Sequence, residues 1–200
     1  MSMVGGLSIF LTGLMATWIG YGAVFESGIE SPRYETIEKS GPYSVRDYER
    51  FIVASTQVPD SDEGNSSGFR TLAGYIFGQN NRAEKMSMTA PVMYTNRQSK
   101  RHFSFVMPAH FSIENLPEPN RSSITIEHFE SGKYAVHSFR GGVNPKKVDK
   151  KVSNLVQYIE SKNLSPIGEP IIAQYNSPWV FPLQRKNEIW LRVTDDNQND

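Results

Sequence analysis

The 200-residue chain contains no cysteine. That absence excludes disulfides, thiolate metal sites, a cysteine nucleophile and attachment of a prosthetic group through sulfur. Net charge is missing as well: 21 Lys and Arg balance 21 Asp and Glu. A nucleic-acid binder normally rests its affinity on a basic surface, so no nucleic-acid partner is expected. No G-x-S-x-G elbow, phosphate-binding Walker loop or dinucleotide fingerprint occurs in the chain. The four histidines, His102, His110, His128 and His137, form no H-x-x-x-H pair, and no carboxylate cluster supports them as metal ligands. His128 shares a strand face with Ile124 and Ile126 and reads as a structural residue. His137, on the opposite face from Val136, is expected to be exposed.

Charge is also absent from the first 25 residues, MSMVGGLSIFLTGLMATWIGYGAVF. As a helix, Val4 to Phe25 would reach ~33 Å, enough to cross a hydrocarbon layer of ~30 Å. Trp18 and Tyr21 stand near one end, where amphipathic rings favour the interface. A single-pass anchor over residues 4–25 is the expectation, giving a membrane location. A cleaved signal, and with it an exported soluble protein, is the competing reading. Against it stand an n-region without Lys or Arg and the bulky Tyr21 ahead of Ala23. Residues 26–33 read as a linker, 34–194 as one domain, and 195–200 as a polar, disordered tail.

Fifteen glycines and twelve prolines suit short strands and turns. YETIEKSGPYSVRDYERFIVASTQV reads as two strands joined at Ser40-Gly41-Pro42. DSDEGNSSG, residues 60 to 68, reads as a flexible loop before a short helix at about Phe69 to Phe77. Strands are expected at MSMTAPVMY and HFSFVMP. In the first of these Met86 and Met88 face one side, as core filler. The second half repeats the plan: SITIEHFESGKYAVHSFRG is strand, turn, strand, and its ESGKYAV echoes KSGPYSV. Asn144 and Pro145 start a helix, followed by Val148, Val152, Leu155 and Ile159 at helical spacing. PIIAQY and NEIWLRV complete it. The fold class is thus α+β, two ββαββ units whose sheets join in a barrel-like core, with Trp190 facing inward.

Two stretches carry more apolar and aromatic surface than a core of this size needs. One is the short helix, with Phe69, Leu72, Tyr75, Ile76 and Phe77. The other is YNSPWVFPLQRKNE, where Tyr175, Trp179 and Phe181 lead to Arg185 and Lys186. A proline-stiffened aromatic loop beside basic groups suits a flat, apolar ligand bearing carboxylates. A loop folded over the barrel mouth satisfies the same residues.

KMSMTAPV, FSFVMP, PIGEPIIAQYNSPW and RKNEIWLRV resemble, in order, the signature stretches of the SOUL haem-binding protein family. The resemblance covers Tyr34 to Val193. It implies a distorted eight-stranded antiparallel barrel with two helices, built from a pseudo-twofold repeat. It also implies non-covalent binding of haem or another porphyrin at a hydrophobic patch on the first helix, near the loop before the last strand. The matching ligand-binding positions are Phe69, Arg70, Leu72, Tyr75, Ile76, Trp179 and Arg185. Where relatives carry basic residues just before the helix tyrosine and within the loop, this chain has Gly74 and Val180-Phe181, which leaves Arg70 and Arg185 for the propionates. No histidine is assigned as an axial ligand. Binding of a tetrapyrrole for buffering, transport or sensing is therefore expected, without enzymatic turnover. A membrane-tethered scaffold that binds a protein or lipid through the same apolar surface is the alternative.

Overall fold

The structure, a computed structural model, describes residues 29–97, 100–176 and 180–195. The expected anchor lies outside these residues, and among them no helix is long and apolar enough to cross a membrane. The chain runs β1 (Tyr34–Ser40), β2 (Tyr43–Tyr48), β3 (Phe51–Val58), α1 (Asp62–Ile76), β4 (Val92–Arg97) and β5 (Lys100–Val106). It continues through β6 (Ile124–Phe129), β7 (Gly132–Arg140), α2 (Pro145–Glu160), β8 (Leu164–Gln174), a 3-10 turn (Pro182–Gln184) and β9 (Lys186–Asp195).

All nine strands join one antiparallel sheet in the order β1-β2-β7-β9-β8-β4-β5-β3-β6. The sheet curls but does not close, so β1 and β6 remain edges. Eight strands obey a pseudo-twofold about the β4–β8 junction, which exchanges β4 with β8, β5 with β9, β3 with β7 and β6 with β2. β1 stands outside this symmetry and is almost wholly exposed. The two units are therefore β2β3α1β4β5 and β6β7α2β8β9. Each lends its first strand to the other, because β2 pairs with β7 and β3 with β6.

The eight-stranded barrel that the resemblance implies is here an open, curled sheet of nine strands, because β1 adds to one edge and does not meet β6. The sheet differs from the sequence expectation in further places. The first long β run holds three strands, broken at the exposed Glu49-Arg50 step as well as at the Ser40–Pro42 turn. The KSGPYSV–ESGKYAV echo matches the β1–β2 turn to the β6–β7 corner, which are not symmetry mates. Finally, the methionine run precedes its strand: β4 starts at Val92. Met86 lies back against the end of α1, where its N–H donates to the Ile76 carbonyl at 2.7 Å.

Three apolar clusters follow from strand alternation. The outer face of β3 and β5, with Ala54, Phe103 and Phe105, packs beneath α1, joined by Met86 and the half-buried Met88. The outer face of β7 and β9, with Ala135, Ile189 and Leu191, packs beneath Leu155, Tyr158 and Ile159 of α2. Between the two arms of the curl, the inner faces enclose Trp190, Tyr48, Tyr134, Val136, Met93 and Ile171. Trp190 has no exposed surface, in accord with its inward register.

Candidate functional site

Helix α1 begins at Asp62, earlier than the hydrophobic pattern indicates, because Ser61 caps it by accepting from the Gly64 N–H at 3.0 Å. The polar residues read as a loop form its first turns. At Gly68 the helix meets the sheet closely: a Cβ there would lie 3.0 Å from Phe103 Cβ and 3.1 Å from Val58 Cγ1. That approach turns Leu72, Tyr75 and Ile76 wholly into the core. The Tyr75 hydroxyl donates to the Pro117 carbonyl at 2.8 Å, and burial pushes its pKa up to about 12, with Glu84 adding to the rise and Arg82 opposing it. These three residues therefore support α1 from beneath and offer no surface to a ligand.

What remains on the flank of α1 is a groove of about 420 Å³. Asn65, Ser66, Phe69 and Arg70 form its helix side; Val92, Phe103, Gln174 and Asn176 form the other. Phe69 is 38% exposed and meets Phe105 edge-on at 5.3 Å. Arg70 is exposed, and its guanidinium has no hydrogen-bond or ion-pair partner among the described residues. An open aromatic face beside an uncommitted guanidinium can hold an apolar plane and meet a carboxylate. The lining contains no histidine, so the groove offers carbon surface and charge, not an imidazole.

The second half of the expected site is partly placed here. Gln174 and Asn176, at the end of β8, bring the root of the aromatic loop to α1. Trp179 lies outside the described residues. Arg185 is not part of the lining; its Nε donates to the Val180 carbonyl at 3.0 Å, and its own carbonyl accepts from the Gly141 N–H and Asn187 Nδ2. It ties the loop to the β7–α2 corner.

The loop root is held from inside the curl by a charge network that no sequence motif announces. Glu188, fully buried, accepts two bonds from Arg46, Nη1 to Oε2 at 3.0 Å and Nη2 to Oε1 at 3.1 Å. Trp190 Nε1 donates at 2.8 Å, the Tyr175 hydroxyl at 2.7 Å and the Ser138 hydroxyl at 3.0 Å. Burial alone would raise the Glu188 pKa; the hydrogen bonds and charge of Arg46, with Lys186 and Tyr175, overcome it and hold the carboxyl at about 2. Burial and the neighbouring carboxylate both push Tyr175 upward, so it remains a donor. Next along the chain, Asn176 accepts from the Lys186 N–H and lines the groove. The one signal available in sequence was the placement of Glu188 two positions before Trp190, on the same inward face. Its partner lies 142 positions away.

The histidines fall differently from expectation. His137 is buried, because its strand face lies beneath α2 rather than in solvent; Nδ1 meets the Lys151 carbonyl at 3.2 Å and Nε2 the Lys151 ammonium at 3.3 Å. Burial chiefly lowers its pKa. His128 is exposed on the edge strand β6. Among the described residues no group of three or more His, Asp or Glu could hold a metal ion.

The SOUL heme-binding protein family matches residues 29–192. Among curated proteins, the chain is similar to "Heme-binding protein 2" of Homo sapiens, 29% identical over 82% of this chain and 85% of that one. It is also similar to "Heme-binding protein 1" of Xenopus laevis, 28% identical over 76% of this chain and 85% of that one. Among solved structures, the EcmrR C-terminal domain superposes with a TM-score of 0.58 at 14% identity, covering 81% of this chain and 98% of that domain. This last likeness is one of fold.

Proposed function

The chain belongs to the SOUL heme-binding protein family, and on that premise we propose that it binds haem or a related tetrapyrrole reversibly and non-covalently in the groove beside α1. The relatives named for haem binding support the ligand class. The observation that carries the location is the pairing of exposed Phe69 with unpartnered Arg70 over the Val92–Phe103 floor. Phe69 and Phe103 supply contact for the macrocycle, Arg70 meets a propionate, and Gln174 and Asn176 bound the open side. A groove of about 420 Å³ falls within the usual range for small-ligand sites, ~300–1,000 Å³. With no imidazole in the lining, the affinity comes from the ring and its carboxylates. The role is that of a carrier, buffer or sensor, held at a membrane by residues 4–25.

The test is a titration of the domain from residue 26 onward with haem and with metal-free protoporphyrin, followed by absorbance and tryptophan quenching. Both should bind one to one in the micromolar range, worth ~8 kcal/mol, with similar affinities. Haem binding that vanishes when the iron is removed, or that survives loss of both Phe69 and Arg70, overturns the proposed groove. Membrane retention of the full chain after carbonate washing tests the anchor.

A further inference from the structure

Beneath α2 lies a pair of titratable groups that the tetrapyrrole groove does not use. His137, on β7, is buried, with its ring 4.5 Å from that of Tyr43. Its Nδ1 lies 3.2 Å from the Lys151 carbonyl. A carbonyl only accepts, so Nδ1 carries the ring proton and Nε2 presents a lone pair. Burial favours this neutral ring. The side-chain nitrogen of Lys151 faces that lone pair at 3.3 Å.

Lys151 is half-buried, and among the described residues no carboxylate forms an ion pair with it. Two cationic nitrogens instead crowd one ring: Lys151 Nζ stands 4.6 Å from the centre of Phe139 and Lys147 Nζ 5.3 Å. Burial, then the charges of Lys147 and Lys150, hold Lys151 below its ordinary pKa. The two lysines on Phe139 differ in their partners. Lys147 donates to the Arg140 and Gly142 carbonyls at 3.2 and 2.9 Å, which accept a hydrogen bond but take up no proton. Lys151 donates to an imidazole nitrogen, which can do both. A neutral amine or an amide N–H makes the same bond to Nε2, so loss of the charge keeps that contact and relieves the crowding. Desolvation and a neighbouring cation are the two environments that make a lysine nucleophilic.

We propose that Lys151 is a nucleophilic lysine, acylated by small thioesters with His137 as the proton acceptor. The neutral amine attacks the thioester carbonyl, forming the C–N bond, and its surplus proton passes to Nε2. Collapse of the tetrahedral adduct breaks the C–S bond. The departing thiolate takes the proton back from His137, leaving an amide, a thiol and a neutral imidazole. The site is independent of the tetrapyrrole groove, and its failure would leave that reading intact.

The test incubates the full chain with the acetyl thioester of N-acetylcysteamine, an uncharged donor that the lysine-rich helix face does not attract. Acetylation of each lysine is followed by peptide mass spectrometry, with Nα-acetyl-lysine amide in the same solution as a reference amine. Near neutral pH, Lys151 should react at least about fivefold faster than the exposed Lys146 and Lys150. The change His137→Gln keeps a hydrogen-bonding group but no proton acceptor. It should slow Lys151 at least about threefold while Lys146 and Lys150 keep their rates. In the unaltered chain, the advantage of Lys151 over the reference amine should shrink as pH rises towards the range where both are deprotonated. Equal rates at Lys146, Lys150 and Lys151 would overturn the proposal, as would an unchanged Lys151 rate in folded His137→Gln. If that variant does not fold, the pH series decides: an advantage that is absent or independent of pH overturns it.

Discussion

The two halves of the sheet carry the same row of residues to different ends. Along the paired strands the row reads Ser55, Ser104, Met93, Ala173, Glu188, Ser138. The pseudo-twofold passes between Met93 and Ala173, so Ser104 stands where the other half has Glu188, and Ser55 matches Ser138. In the first half the two hydroxyls bond to each other at 2.8 Å. In the second, the serine donates to a buried carboxylate that also takes Arg46, Tyr175 and Trp190. By the same symmetry Arg46 corresponds to Phe129. Only one half carries the buried charge, and its donor Tyr175 leads straight into Asn176, which lines the groove beside α1. The first half fills the equivalent positions with a neutral pair.

The sharpest way to break this comparison is to unpair the charge. Glu188→Gln should destabilise the domain by ~3–5 kcal/mol, since Arg46 is left buried without its counter-ion. Urea denaturation measures this. The double change Arg46→Phe, Glu188→Ser copies the first half's residues and should cost at least ~2 kcal/mol less than the two single changes combined. Additive costs would mean that the pair acts as two separate packing residues.

Acid should act on the same half. The Glu188 pKa is depressed in the fold, from 4.5 to about 2. Its stabilisation, on the order of 3 kcal/mol, is present above the unfolded value and is lost as pH falls from about 4.5 towards 2. His137 is also depressed, from 6.5, so the preference for its neutral form is lost as pH falls below that value. Stability should therefore decline in acid in two stages, and Glu188→Gln should abolish the lower one. A urea midpoint that stays flat between pH 5 and 2 would contradict the ionised assignment.

Smaller effects sharpen the contrast between the helices. Gly68→Ala should cost ~1–3 kcal/mol by pushing α1 off Phe103; α2, which has no glycine, needs no such approach. Phe69→Ala should weaken tetrapyrrole binding roughly tenfold, ~1.4 kcal/mol, and Arg70→Glu should do likewise. Val152→Ala, on the α2 flank where Asp149 and Glu169 rim a comparable crevice, should leave it unchanged. His137→Ala should change haem affinity least of all. Loss of haem binding in this last variant with Phe69→Ala silent would move the site to the other half.

Much of the architecture was legible because it rests on periodicity and caps. α2 follows from Asn144, Pro145 and the spacing of Val148 to Ile159; its Asn144 side chain does accept from the Lys147 N–H at 2.9 Å. The start of α1 was hidden, since Asp, Asn and Ser are common to loops and to exposed first turns. The break at Glu49-Arg50 was hidden too, because polar residues also occupy the solvent face of an unbroken strand. At the candidate site, Phe69 and Arg70 could be read from the helix. Whether Leu72, Tyr75 and Ile76 faced ligand or core could not, as an apolar stripe has the same period in either case. The Arg46–Glu188 pair was invisible for a different reason: it is made by a strand exchange that local pattern does not encode.

That exchange has a consequence for how the protein is made. β2 finds its second neighbour only when β7 has been synthesised, about ninety residues later, several seconds at ~5–20 residues per second. Until then the β1–β2 hairpin is a nascent orphan with its inner edge open, and β3 likewise waits for β6. Neither unit pairs all its strands within itself, so these edges stay open until the second half has emerged. An unpaired edge is a template for association with another chain, and the fold removes two such edges, on β2 and β3, only by joining its two units.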